Sequence, residues 1–333
     1  MKHGGNIMKK MIPIVLSVIM ALSLITPAFA VESQTTEKNP VNVSRYIDEN
    51  NSIVRTFDRS SSNIASRSIS NSASVKAEDI LSALGMEKMS IQNLSDSERD
   101  SINNSNRITS VTSYVKVDED GNATYLSEED TFKEVEALLA SGYMGQKTKT
   151  DTYMRVWHAI SYLGNANYQS IVDARWLTMP YFRGRDAIGA SMQDTTITPG
   201  TQEGYFSYDY RGVSATGNPT NGSSGNIRIT SFDTVTDGTF DGCAGFFVLP
   251  SDSNSGTTTR TISNLFAHMS FKGHFKYEDL ASWRNSKGTY LHTRAGISAS
   301  ASLTINSGSG AIDLTGVVDV DPRTADLEIH YVP

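Results

Sequence analysis

The back half of this sequence alternates. From Tyr143 to Pro333, run after run places apolar or aromatic residues at every second position, and Gly, Asn, Asp, Ser or Pro interrupts each run. Residues two apart share one face of a β-strand, so a chain patterned this way is committed to strands with one face buried. The runs cover 152–163, 168–179, 205–211, 226–235, 244–249, 258–277, 289–306, 311–320 and 325–332, and Gly164-Asn165-Ala166-Asn167 turns the first into the second as a hairpin. No amphipathic helix longer than two turns separates them. Crossover connections between parallel strands are therefore excluded and the sheets are expected to be antiparallel. The expected fold is mainly β, with an antiparallel β-sandwich over residues 143–333.

The chain ahead of Tyr143 has a different character. Residues 76–142 hold fourteen acids against six bases. Ile80, Leu81 and Leu84 fall at helical spacing and stop at Gly85, and Ser95 with Glu98 three residues on marks a second helix start. Residues 108–117 alternate as a strand, and Ser127 opens a helix carrying Phe132, Val135, Leu138 and Leu139 on one face. A small acidic α+β unit is expected here. Residues 31–75 are expected to form a disordered Ser/Asn-rich spacer, because eight serines among the fifteen residues from Ser60 to Ser74 leave too little apolar surface to offset the entropy of ordering.

The first 30 residues read as a secretory signal. Lys9-Lys10 precede the apolar run from Met11 to Ile25, and Ala28-Phe29-Ala30 supplies a small-x-small cleavage site after Ala30. Met8 offers an alternative start. The apolar run is too short for the roughly 20 residues of a membrane-crossing helix, so no stable transmembrane anchor is expected and the product is expected to be secreted. Without those residues the chain holds 36 acids against 26 bases, which excludes a nucleic-acid partner relying on basic charge. One cysteine, Cys243, allows no intramolecular disulfide, so a packed core must hold the fold.

Several patterns bear on chemistry. Residues 118–129 resemble an EF-hand calcium loop: Asp118, Asp120 and Asn122 alternate, Thr124 offers a carbonyl, and Glu129 closes the loop from the next helix. Calcium is the one cofactor this points to. Ala123 stands where the loop needs its glycine, and a strand replaces the entering helix, so a β-hairpin turned by Asp120-Gly121 is the favoured account of the same residues, and no cofactor is expected. His268, His274 and His292 carry the imidazoles of a zinc site, but about 20 Å separates the first two along an extended strand. His158 shares a strand face with Met154, Val156, Ile160 and Tyr162 and is expected to be a hydrogen-bonded core residue. No G-x-S-x-G elbow, H-E-x-x-H or phosphate-cradling glycine loop occurs, and Cys243 reads as a small buried residue.

Phe206, Tyr208 and Tyr210 line one face of a strand, where they suit either a glycan-stacking platform or a half-buried sheet face. Arg183 and Arg185 sit beside Asp186 after Pro180, as an anion-recognition knot or a structural pairing. From Ile297 to Asn306 and back from Ile312 to Val320 the alternation is strict over about ten residues per arm, the length of a membrane-spanning strand and equally the pattern of a sandwich strand. The stretch from Ala174 to Gly189, including Ala174-Arg175-Trp176-Leu177 and Pro180-Tyr181-Phe182-Arg183-Gly184-Arg185, together with Met154-Arg155-Val156-Trp157, resembles uncharacterised secreted proteins of Gram-positive bacteria. That resemblance implies secretion and lends no activity.

The expectation that follows is a secreted, non-enzymatic binding or envelope-associated module for an extracellular ligand such as a glycan. The alternatives are a secreted hydrolase acting on an extracellular polymer, whose paired carboxylates would be invisible in sequence, and a β-hairpin pore-former.

Overall fold

Alternation in the sequence becomes two antiparallel sheets packed face to face. The structure, a computed structural model, describes residues 41–59, 75–141, 151–214, 216, 218–255, 258–276, 282–293, 302–306, 309–315 and 320–331. The expected signal sequence at 1–30 lies outside them. The larger sheet has eleven strands. Its main path runs β1 (Val43–Ile47), β2 (Ile53–Asp58), β3 (Arg107–Val117), β5 (Thr152–Gly164), β6 (Asn167–Trp176), β14 (Thr258–Phe275), β9 (Glu203–Ser214) and β10 (Pro219–Arg228). Off this path, β4 (Ala123–Leu126) pairs with β3, while β8 (Thr195–Ile197) and β13 (Ser253–Asn254) pair with β14. The second sheet runs β11 (Phe232–Thr236), β12 (Phe240–Val248), β7 (Arg185–Gln193), β15 (Ser282–Thr293) and β18 (Val320–Tyr331). A separate hairpin joins β16 (Ser302–Ile305) to β17 (Ile312–Thr315).

The main core lies between the sheets. Met154, Val156, Val172, Met269 and Phe271 of the large sheet meet Ile188, Met192, Phe247, Tyr290 and Leu327 of the second. The opposite face of the large sheet is also buried, because Phe57, Ile108, Trp157, Ala159 and Ile171 lie under α1 (Ala77–Ala83), α2 (Lys88–Gln92) and α3 (Asp96–Asn104). Ile80, Leu81 and Leu84 are fully buried there, each contributing about 1.5–3 kcal/mol of apolar transfer. α4 (Glu128–Ala140) covers Ile53, Tyr114 and Tyr153 through Val135, with Phe132, Leu138 and Leu139 packed alongside. On the outer face of the second sheet, Leu303, Ile312 and Leu314 of the hairpin pack on Ala187, Ala244, Phe246 and Leu291. The chain is thus mainly β, a sandwich with a small helical unit on one face.

Two expected boundaries do not hold. Part of the supposed spacer, 43–58, forms β1 and β2, because Ile53 and Phe57 bury under the helices and Val54 buries in the core between the sheets, at 2, 0 and 4% exposed, as β2 pairs with β3. The averaged Ser-rich composition of 31–75 hid these residues. The expected division at 142/143 also disappears: β3 pairs with β5 over eleven residues from Arg107↔Tyr162 to Val117↔Thr152, so the acidic unit and the sandwich share one sheet within a single compact body. The run expected at 289–306 is two strands in different sheets, β15 and β16, and the run at 226–235 breaks between β10 and β11.

Gly288 of β15 lies against the large sheet with no room for a side chain. A Cβ built there would lie 2.7 Å from the Cβ of His158 on β5, so both sheets would have to separate to admit one methyl group. Gly288→Ala is expected to destabilise the fold by about 1–3 kcal/mol as an overpacked core, read as a lowered urea midpoint with an unchanged slope.

Candidate functional site

The strongest concentration of chemistry is a buried imidazole held between two carboxylates. On β14, Ala267, Met269 and Phe271 face the second sheet, so His268 and Ser270 face the helices. Asp173 lies directly opposite His268 on β6 and points the same way. The third member comes from α3. Its N-terminus is a capping box: the Glu98 N–H donates to Ser95 Oγ at 3.2 Å, and the Ser95 N–H donates to Glu98 Oε2 at 2.8 Å. This fixes the Glu98 rotamer and leaves Oε1 to meet His268 Nε2 at 2.7 Å, while His268 Nδ1 lies 2.6 Å from Asp173 Oδ1. Tyr205 stacks on the imidazole at 4.8 Å.

Glu98, Asp173 and His268 are 2, 1 and 1% exposed. Burial opposes a charged imidazole, but the Glu98 charge and the hydrogen bonds to Asp173 and Glu98 outweigh it and push His268 up to about 10. Burial likewise opposes ionisation of Glu98, yet the His268 charge, with hydrogen bonds from His268, Ser270 and the Ser95 N–H, holds it at about 2. The trio is therefore an imidazolium donating to two carboxylates, and it ties a helix to two strands.

Other polar groups also pair across strands or layers. Glu87, the residue before α2, lies 2.6 Å from Arg175 of β6 and 3.6 Å from Arg155 of β5, and Arg155 also donates to the Gly85 carbonyl. Asp186 of β7 accepts from Tyr290 Oη at 2.6 Å, lies 3.0 Å from His292 Nδ1 and accepts the Thr293 N–H. Between the sheets, His158 Nε2 lies 2.8 Å from Ser286 Oγ of β15, and burial lowers this imidazole to about 4. A general acid or base must reach its substrate. His158, Asp186 and His292 are buried away from any such substrate, whereas Glu87 and Arg175 are partly exposed.

The residues singled out in the sequence are placed as follows. Phe206 and Tyr208 are 4 and 8% exposed in the main core, where Phe206 stacks on Phe247 at 5.0 Å, and Tyr210 packs edge-on against Tyr208. These rings face the second sheet and offer no open platform. Arg183 donates to the Pro250 carbonyl and to Asp252, and Arg185 lies over the Phe246 ring at 4.5 Å. Asp118 caps its own turn between β3 and β4, accepting from the Asp120 and Asn122 N–H groups and the Asn122 side chain. Asp120, Asn122 and Thr124 are exposed along this hairpin and Glu129 sits in the first turn of α4. No group of three or more His, Cys, Asp or Glu side chains that could hold a metal ion occurs among the described residues. His268 faces the helices, His292 lies in the second sheet and His274 is exposed, so these three imidazoles do not converge. Burial, with the Asp233 charge, pushes the Cys243 thiol up to about 12. Glu98 and Asp173 had no signature of their own, although the Ser95–Glu98 capping box was visible.

No family model and no curated protein matches the sequence. Among solved structures, Clostridium perfringens delta-toxin is similar at 9% identity and a TM-score of 0.22, covering 67% of this chain and 90% of its own. The structure titled "AvmM Catalyzes Macrocyclization in Alchivemycin A Biosynthesis" is similar at 9% identity and a TM-score of 0.22, covering 50% of this chain and 82% of its own. Likeness at this level carries no activity across.

The trio gives stability a definite pH dependence. The folded value of His268 lies above its ordinary 6.5, so its contribution is complete below pH 6.5 and declines as pH rises towards 10. The folded value of Glu98 lies below its ordinary 4.5, so its contribution is complete above pH 4.5 and is lost as pH falls towards 2. Melting temperature is expected to be highest between those limits. His268→Asn should lose about 3–5 kcal/mol there and should flatten the alkaline limb measured by calorimetry from pH 6.5 to 10.

Proposed function

We propose that the chain is a secreted, non-enzymatic binding module that engages an extracellular or envelope ligand through its surface. The observation that carries this reading is the use made of its ionisable side chains. The Glu98 cluster ties a helix to the large sheet and the Asp186 cluster ties β7 to β15 within the second sheet, both fully buried, while Glu87 and Arg175 pair at a partly exposed helix–sheet margin. The signal-like first 30 residues and the net negative charge support an exported product without a nucleic-acid partner. The test uses the full chain in a bacterial host with a secretory pathway. Export predicts a product beginning at Val31, and the purified product should cosediment with isolated peptidoglycan sacculi or intact cells without releasing soluble sugar. Release of reducing ends would favour a hydrolase, and absence of binding to both surfaces would remove the reading.

A membrane-active hairpin is a second reading, favoured by one observation. β16 and β17 do not extend the second sheet. They form their own two-stranded sheet laid on its outer face through Leu303, Ile312 and Leu314, with Asp313 exposed. A hairpin seated this way exchanges one apolar contact for another if it moves into lipid. The outer parts of the expected arms, 297–301 and 316–319, lie outside the described residues. Dye release from phosphatidylcholine–phosphatidylglycerol vesicles, abolished when 302–315 is replaced by a Gly-Ser linker, would support this reading. Intact vesicles with the folded wild-type chain would end it.

A further inference from the structure

A groove of about 360 Å³ opens where the two sheets part beside β8 and β11. Its construction follows from strand register. Phe232, Thr234 and Thr236 alternate along β11 and stand opposite Gly245, Cys243 and Asp241 of β12, so all six positions share the face turned towards the large sheet. β11 is the edge strand and runs past the main core, which leaves part of this face uncovered. Ile197 of β8 and Gln202 of the following loop line the groove from the large sheet.

The floor is specific. One edge of the Phe232 ring packs close to backbone of both sheets: a Cβ at Gly245 of β12 would come 2.9 Å from its Cε1, and one at Gly204 of β9 would come 3.4 Å from the same atom. The ring is thus fixed by backbone from both sheets while part of it still lines the groove. Asp241 is 9% exposed, and Lys276 Nζ lies 3.4 Å from its Oδ1, which holds the carboxylate at the groove wall. Gln202, Thr234 and Thr236 line the same groove.

We propose that this groove binds a single neutral sugar residue, with Phe232 against an apolar C–H face of the ring and Asp241 accepting from its hydroxyls. The inference rests on the binding-module reading and names its ligand class. A sugar ring presents one apolar face and a rim of paired donors and acceptors, and the groove offers one fixed aromatic ring and a rim of carboxylate, carboxamide and hydroxyls. The volume is at the small end of ligand sites, which suits one residue and not a long polymer. An anionic ligand fits poorly, because Asp241 lines the groove and no lysine or arginine does among the described residues.

The test is saturation-transfer difference NMR on the full chain with three probes: methyl galactoside, methyl glucoside and N-acetylglucosamine. At least one is expected to give signal. Its apparent affinity should fall about tenfold or more in Asp241→Asn, a loss of about 1.4 kcal/mol for one charged hydrogen-bonding partner, and in Phe232→Ala. Gln202→Ala removes only a half-exposed side chain and should weaken the same signal if either core-proximal variant fails to fold. Asp313→Asn, exposed on the hairpin, should change nothing. No signal from any of the three sugars, or an undiminished signal in folded Asp241→Asn and Gln202→Ala, would overturn the proposal. Sacculus or cell binding that persists unchanged in Asp241→Asn would overturn the groove while leaving the binding-module reading intact, whereas loss of all surface binding by the wild type would remove both.

Discussion

The central strands of the large sheet are buried on both faces, and the rest of the molecule is arranged around that constraint. β3, β5, β6 and β14 turn alternate residues towards the helices and towards the second sheet, so neither face is available to solvent. A strand with two apolar faces would not distinguish one side from the other, and a one-residue register slip would exchange them at little cost. Polar residues placed among the apolar ones remove that ambiguity. His158 on β5 and His268 on β14 point in opposite directions, one to Ser286 of the second sheet and the other to Glu98 of a helix.

These buried polar ties explain why ionisable groups are dense inside the protein. Removing water from a charge is costly, and a buried pair repays this only when geometry and hydrogen bonds are nearly complete. In the Glu98–His268–Asp173 trio both ring nitrogens have a carboxylate oxygen within 2.7 Å. A wrong docking of the helices would leave a buried imidazolium or carboxylate unpaired, which is a steeper penalty than a misplaced leucine. The same reasoning applies to Arg155 and Arg175 converging on Glu87. The edge strand β11 and the hairpin seated on the second sheet lie outside this network of ties.

How much of this was legible in sequence depends on the range of the signal. Strict alternation identified most strands and the antiparallel class, and Ser95 with Glu98 identified a helix start that the structure forms as a complete capping box. β1 and β2 were hidden because Ile53, Val54 and Phe57 are few and stand close to a serine-rich stretch, although three residues suffice when they dock on an existing sheet. The aromatic strand at Phe206 and Tyr208 was ambiguous because alternation states that one face differs from the other and does not state which face meets water. The carboxylates of the trio, and Asp241 in the groove, were invisible because their partners lie 95, 170 and 35 residues away.

The central claim is that the buried imidazole is a permanently charged structural tie and not a reacting group. Nitrogen-15 NMR of the His268 ring across pH tests this most directly. The account predicts a doubly protonated ring up to pH about 10, with ring protons that exchange slowly with water. A ring that titrates near its ordinary value of 6.5 and exchanges freely would contradict it, because the trio would then be open to solvent and available for chemistry.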